Sequence, residues 1–342
     1  MANHEITAHT RDGQALSFVC GEDENLLGAA ERQNIFLPSQ CRKGSCGACV
    51  AKVRMGTYEI GAVHSELLHP RERAEGHVLL CRTTPHSSLA LDLPYDHAFV
   101  RRQRVPERWA EILSLKTVAP GTRHLLLALD EDDLYGRAAD FEPGQYMEIG
   151  VPGTTDRRAY SLANVTNWEG HLEFVIQQRP AGLFSRYLES AKVGDRLSVK
   201  GPLGVFTLQE HGLHPRWFIG GGTGVVPLLS MLRRMAEWGE SHPAHLYFGA
   251  HDAKSLFFTS VLRELQGELP QLQVKYCVSN VETRGEHQGN ILDTLAADLK
   301  SAGTSPDLYL CGSPRLVQGA RACALTHGVA PERIYAERFT SA

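Results

Sequence analysis

Four cysteines constrain this chain more than any other feature. They run Cys41-x4-Cys46-x2-Cys49, with Cys81 after a further 31 residues. Three close thiols and one distant fourth are the ligand spacing of one class of [2Fe–2S] cluster. Two irons and two bridging sulfides need four thiolates converging on a small volume. The chain must then wrap tightly, with backbone N–H groups turned toward the sulfurs. Gly44 and Gly47 fall where such turns are required, because glycine reaches positive φ without strain. Ser45 and Ala48 are small enough not to crowd the site. Rival readings explain less. A redox pair at Cys46-Gly-Ala-Cys49 would need neither Cys41 nor Cys81. Structural zinc usually takes two close pairs, and no second cysteine lies near Cys81. A Rieske centre needs histidine ligands, and the chain has no Cys-x-His. The remaining cysteines are scattered. Cys20, Cys277 and Cys323 read as buried small hydrophobes; Cys311 falls in a motif treated below.

At 342 residues the chain is long enough for two or three cores. Its 42% hydrophobic and 22% charged residues are those of an ordinary globular protein. A net charge of −4 argues against a nucleic-acid partner. The polar start has no apolar segment of signal-peptide type. No run approaches the roughly 20 apolar residues that span a bilayer. The expectation is a cytoplasmic protein with no membrane association, where cysteines serve metals or redox chemistry rather than disulfides.

Around the cysteines, residues 4–9 and 15–20 alternate like strands about the turn signal Asp12-Gly13. Asn25 to Gln33 reads as a short helix, and Ala51–Val53 and Leu89–Leu93 as further strands. This order resembles a plant-type ferredoxin domain of α+β class over residues 1–97. Residues 98–106, with Arg101, Arg102, Arg104 and a closing Pro106, read as a linker.

Residues 107–210 are strand-rich, with candidates at Leu125–Leu127 and Leu172–Ile176, which suggests an antiparallel barrel. Three pieces follow one another: Arg157-Arg158-Ala159-Tyr160-Ser161, then Gly182-Leu183-Phe184-Ser185 before a helical pattern at Arg186, then Gly201-Pro202-Leu203-Gly204-Val205-Phe206. Each alone is common. In this order they resemble the flavin signature of the ferredoxin–NADP reductase superfamily. The resemblance implies that Arg158 neutralises the FAD pyrophosphate and Tyr160 packs on the isoalloxazine, with Ala159 between them. It places Ser161 near flavin N5, and Ser185 with the amides of Gly182, Leu183 and Phe184 on the diphosphate.

Residues 211–342 open on a short apolar strand, Arg216–Ile219, then Gly220-Gly221-Gly222-Thr223-Gly224-Val225-Val226-Pro227, then a helix carrying Leu228, Leu229, Met231 and Leu232. Strand, glycine loop and helix let backbone amides approach a pyrophosphate. Proline in the last position departs from the dinucleotide fingerprint, and no acidic residue closes a strand about 20 positions on. That departure fits the reductase superfamily, as do the strands ending at Gly249 and at Cys311-Gly312-Ser313. The expected fold is an α/β domain with a parallel sheet binding NADH. By resemblance, Cys311 and Gly312 lie where nicotinamide meets flavin, Ser161, Cys311 and Glu337 surround the hydride path, and Phe339 lies near the flavin ring. From the residues alone, Glu337 reads equally well as a solvated charge on the tail.

The whole chain thus reads as multidomain: ferredoxin, FAD barrel, NAD domain. It resembles the reductase components of bacterial multicomponent oxygenases, most of all the soluble methane monooxygenase type, in Gln33–Leu37, Leu79–Thr83 and Lys200–Phe206. Benzoate-type dioxygenase reductases share the layout. The resemblance implies an oxidoreductase that takes hydride from NADH onto FAD and passes single electrons through the cluster to the hydroxylase of a di-iron monooxygenase or, alternatively, a Rieske dioxygenase. It implies a monomer and needs no protein acid or base with a shifted pKa. A diaphorase would not need the cluster domain, and a cluster-based sensor would not need the flavin and nicotinamide signatures.

Overall fold

A computed structural model describes residues 2–64, 67–68, 70–210, 212–285 and 287–339. The chain divides into two compact units, Met1–Val105 with Leu203–Val205, and Pro106–Pro202 with Phe206–Phe339.

In the first unit, β1 (Asn3–His9) and β2 (Ala15–Gly21) form an antiparallel hairpin. Alternation turns Ile6 and Ala8, Leu16, Phe18 and Cys20 inward. Helix α1 (Leu26–Arg32) starts where the Asn25 side chain accepts the Gly28 N–H at 2.9 Å, a helix N-cap. Its buried side, Leu26, Leu27, Ala29 and Ala30, covers the sheet. Then come β3 (Val50–Met55), β4 (Tyr58–Ile60), α2 (Pro70–Ala74), β5 (His77–Leu79), β6 (Thr83–Pro85) and β7 (Leu89–Asp92). The main sheet has the order β2-β1-β7-β3-β5, with β1 and β7 parallel. Beyond β7 the chain stays with this unit. Arg11 pairs with Asp96 at 2.7 Å, Val100 is buried, and Phe36 and Arg101 bridge. The free part of the connection is therefore shorter than the sequence suggests.

The second unit begins with β8 (Glu107–Ala119), β9 (Thr122–Leu129), β10 (Tyr146–Gly150), β11 (Arg157–Ser161), β12 (His171–Gln177), α3 (Leu183–Ser190) and β13 (Arg196–Leu203). The strands lie in the order β11-β10-β13-β8-β9-β12. The β8/β9, β8/β13, β9/β12 and β10/β11 pairs are antiparallel. A bridge from Leu162 to Phe174 joins the two edges, curling the sheet into a barrel around Ile112, Leu127, Ile149, Phe174 and Leu197. Helix α3 starts at Leu183, three residues before the expected helical pattern. Phe184 and Leu188 already face the core one turn apart.

The chain then alternates β14 (Arg216–Gly221), α4 (Val225–Glu237), β15 (Ala244–Ala250), α5 (Thr259–Glu268), β16 (Leu272–Val278), α6 (Ile291–Ser301), β17 (Asp307–Gly312), α7 (Pro314–Thr326) and β18 (Ile334–Arg338). All five strands are parallel, in the order β16-β15-β14-β17-β18. α4 and α5 pack on one face and α6 and α7 on the other. Strand order reverses between β14 and β17, and open α/β sheets bind ligands at that crevice, outside the carboxyl ends. Among the described residues no helix is long and apolar enough to cross a membrane.

Candidate active site and cofactor sites

The predicted cysteines gather as two pairs. The Cys46 thiol hydrogen-bonds Cys41, and Cys49 does the same with Cys81. In each pair the hydrogen bond lowers one thiol's pKa, Cys41 or Cys81, and raises its partner's. Among the described residues no three His, Cys, Asp or Glu side chains surround one point. Two pairs are what two irons need, two thiolates to each, so the donor set fits a [2Fe–2S] cluster. The loop backbone turns toward the sulfurs. Cys41 Sγ accepts the amides of Ser45 at 3.2 Å and Lys43 at 3.4 Å; Cys46 Sγ accepts those of Cys41 at 3.4 Å and Ala48 at 3.5 Å. Gly44 and Gly47 have φ of +76° and +80°. A Cβ on Gly44 would stand 2.9 Å from the Ala62 carbonyl, so glycine is required there on both counts. Cys20 lies apart in the sheet core, its thiol pushed up to about 12 by burial.

The flavin-signature residues form a second cradle. On β11, Ala159 and Tyr160 pair with Glu148 and Met147 of β10. Tyr160 leans on Phe184 at 5.4 Å between ring centroids, and burial pushes its hydroxyl pKa up. Arg158 is loosely held, bonded to the Arg157 carbonyl at 2.8 Å and 3.9 Å from Asp156. No side chain caps the N-terminus of α3 at Gly182, which leaves its first amides for an anion. Ser185 is buried, and its Oγ accepts the Arg179 amide at 2.8 Å, fixing the turn into the helix. A loosely held cation and an uncapped helix start fit a diphosphate, as FAD requires.

The glycines of the nicotinamide loop divide into two kinds. A Cβ on Gly220 would meet the Val225 backbone at 2.8 Å, one on Gly221 would meet Leu316 at 2.6 Å, and one on Gly224 would meet the Cys311 carbonyl at 2.3 Å. These three let β14, α4, β17 and α7 approach closely. Gly222 has φ of +54° and open space where a Cβ would be, a cradle that a pyrophosphate can approach. Thr223 lies beside it in the turn, and Pro227 is buried in the first turn of α4. Gly249, at the end of β15, has Ile291 close behind it. At that strand end Asp252 accepts from Asn280 at 2.6 Å and Thr283 at 3.2 Å. The Asn280 bond is the largest cause holding its carboxyl below the ordinary value.

The predicted hydride residues come together at the switch point. Parallel pairing sets Cys311 of β17 opposite Glu337 of β18. The Glu337 carboxylate is buried; Ser161 hydrogen-bonds it, and its Oε2 has no partner among the described residues. Burial pushes its pKa up to about 8, against the pull of the Ser161 bond. Cys311 is fully buried, and its thiol is raised by burial first and by the Glu337 charge second. The Phe339 amide donates to the Gly312 carbonyl at 2.7 Å. Glu337 is thus no solvated tail charge, and the site does hold one acid with a shifted pKa. The orphaned oxygen fits a ligand with a polar edge.

The fold and these sites define a nicotinamide-dependent flavoenzyme carrying its own iron–sulfur cluster. Three families match in order: a 2Fe-2S iron-sulfur cluster binding domain at residues 9–86, an oxidoreductase FAD-binding domain at 110–208 and an oxidoreductase NAD-binding domain at 218–322. The reductase component of propane 2-monooxygenase from Rhodococcus jostii is 34% identical, covering 94% of this chain and 88% of its own. Methane monooxygenase component C of Methylosinus trichosporium is 36% identical over 87% of each. The toluate 1,2-dioxygenase electron transfer component of Pseudomonas putida is 31% identical over 99% of each. Among solved structures, Amycolatopsis cytochrome P450 reductase GcoB matches with a TM-score of 0.74 at 28% identity, over 98% of this chain and 99% of that one. The chain belongs to the family of iron–sulfur flavoprotein reductase components of multicomponent oxygenases.

Sequence reasoning missed one group of residues here. Ser230 and Arg233 of α4 reach Asn164, Ala163 and Glu173 of the barrel. A serine and an arginine three apart on a helix look like any polar face, and nothing in the chain marks their partners.

Proposed function

We propose that this chain delivers electrons from NADH, one at a time, to the hydroxylase of a di-iron monooxygenase. The observation that carries its chemistry is the buried corner at the switch point, where Ser161, Glu337 and Cys311 meet beside the glycine loop. The hydrocarbon monooxygenase relatives favour the di-iron partner. The dioxygenase relative keeps a Rieske oxygenase as the second reading.

FAD, when bound, accepts a hydride and gives up electrons singly, and a [2Fe–2S] cluster carries one electron at a time. The protein's part is to bind, orient and exclude water. Arg158 and the open start of α3 hold the FAD diphosphate, and Tyr160 packs against the ring. Gly222 and Thr223 admit the NADH pyrophosphate, while Asp252 takes the ribose. Ser161 holds the Glu337 carboxyl in place, with its free oxygen turned into the site. Phe339 would lie near the flavin ring. Cys41, Cys46, Cys49 and Cys81 hold the cluster. The FAD and NAD domains span 107–210 and 211–342. The cluster domain ends near the 98–106 connection, and the protein works as a cytoplasmic monomer outside its complex with the hydroxylase.

Over residues 1–97, nine Lys and Arg face twelve Asp and Glu, an acidic balance that can steer a basic hydroxylase surface and that salt would screen. The test mixes the NADH-reduced protein with a purified di-iron hydroxylase or a Rieske oxygenase and follows acceptor reduction as salt rises. Rapid transfer to the di-iron enzyme, slowed by salt, is expected. Rapid transfer only to the Rieske enzyme would overturn the partner assignment.

A further inference from the structure

Helix α4 runs directly from the glycine loop, and one side of it is clamped to the barrel by directional bonds. Ser230 Oγ donates to the Asn164 carbonyl at 2.6 Å. Arg233 Nη1 donates to the Ala163 carbonyl at 2.8 Å and pairs with the Glu173 carboxylate. The other oxygen of Glu173 takes a bond from His124 Nε2 at 2.9 Å. The Glu173 backbone is tied to the same segment: its N–H donates to Asn164 Oδ1 at 2.9 Å, and its carbonyl accepts from Ala163 N at 2.8 Å. Beyond the carboxylate, His124 meets the edge of Phe258 at 5.2 Å, and Phe258 is held at φ +56° at the start of α5.

Burial alone would raise the Glu173 carboxyl; the bonds from His124 and Arg233 hold it below its usual value, so it is ionised. Apolar contacts already join these surfaces, since Ala163 and Val175 share a core with Val226 and Leu229. Apolar packing resists separation but is non-directional. A guanidinium nitrogen that donates to two fixed acceptors, one of them charged, resists sliding as well.

The two ends of this clamp are joined to the reacting positions by short runs of chain. Ala163 is two residues past Ser161, and Ser230 and Arg233 are six and nine residues past Gly224 on one rigid helix. We propose that Arg233 and Ser230, with Glu173 and His124 behind them, are positioning residues that set the nicotinamide loop in register with the barrel at Ser161, and so align the hydride donor with its acceptor. This rests on the reading of the Ser161 corner as the place of hydride transfer. Misplacement by about 1 Å can cost roughly 100-fold in such a step.

The test is anaerobic stopped-flow reduction of the holoenzyme, with NADH and with NADH deuterated at the transferring position. For Arg233→Met, the reduction rate should fall about 10- to 100-fold with a larger deuterium isotope effect, while FAD content and NADH affinity stay near native. Arg233→Lys should recover part of the rate. Ser230→Ala, a milder change, should lower it several-fold in the same manner and serves if Arg233→Met does not fold. Native rates and isotope effects in Arg233→Met and Ser230→Ala would overturn the proposal. So would a loss explained wholly by weaker NADH binding. A native protein that NADH cannot reduce would instead refute the underlying reading of the corner.

Discussion

The cluster loop and the hydride corner reach their geometry by opposite routes. In the first, one short stretch curls on itself, so that Cys41 and Cys46 are positioned by their own neighbours' backbone, with Cys81 the distant member of the four. In the second, Ser161, Cys311 and Glu337 come from the last residue of a barrel strand and from two parallel strands of another sheet. A local loop depends on glycine torsions. An assembled corner depends on how closely whole elements pack. Each should fail in its own way.

The largest effect should come at the local site. Cys46→Ser should abolish the cluster's electron paramagnetic resonance signal and transfer to a one-electron acceptor protein, while NADH-to-dye reduction persists. Cys20→Ser, in the core and away from the pairs, should leave the cluster signal intact. A normal signal in Cys46→Ser would break the comparison at its first term.

Gly224→Ala probes the assembled site. Its Cβ would stand 2.3 Å from the Cys311 carbonyl, backbone against backbone, so strands or helix must shift. Overpacking of this kind costs about 1–3 kcal/mol, and NADH-dependent reduction should fall at least about tenfold with the cluster signal unchanged. Steady-state kinetics beside spectroscopy of the cluster would show it.

These two sites also differ in how far sequence alone reveals them. Cluster ligands stand at fixed short spacings, because the chemistry demands a tight wrap, and Gly44 and Gly47 adopt the positive φ that the spacing implies. Glycine loop and barrel were likewise legible in strand patterns and motifs. Glu337 was placed at the hydride corner by resemblance alone: from the residues, whether that carboxylate is solvated or buried depends on β18 pairing with β17, a non-local event. The α4 clamp was invisible for the same reason, since Glu173 sits on an ordinary alternating strand and Arg233 on an ordinary helix. Residues 98–106 read as linker from Arg101, Arg102, Arg104 and Pro106, yet Val100 is buried in the first unit.

A smaller effect concerns the far end of the nicotinamide site. Asp252 is ionised at the end of β15, with His251 bonded to Ser279 at 3.1 Å. A carboxylate there disfavours the 2′-phosphate of NADPH. NADH should be preferred in kcat/KM by about tenfold or more, since each factor of ten is only about 1.4 kcal/mol, and Asp252→Asn should narrow the gap. Equal kcat/KM for the two cofactors would remove Asp252 from the account.

A further effect is on stability against pH. The Glu337 pKa is raised in the fold to about 8 from an ordinary 4.5. The folded protein therefore binds the proton more tightly than the unfolded chain, and stability falls as pH rises through that window. Thermal unfolding of the cofactor-free protein should show a shallower loss from pH 5 to 8 in Glu337→Gln than in the native chain. Identical slopes would mean that the carboxylate is solvated after all.

The central claim is that one chain carries electrons from NADH through a flavin to its own cluster. Anaerobic titration with NADH, following flavin and cluster absorbance together, tests it most directly. Both bands should bleach in the native protein, the cluster's electron paramagnetic resonance signal should grow in step, and only the flavin band should bleach in Cys46→Ser. Bleaching of the flavin with the cluster left oxidised in the native protein would contradict the account.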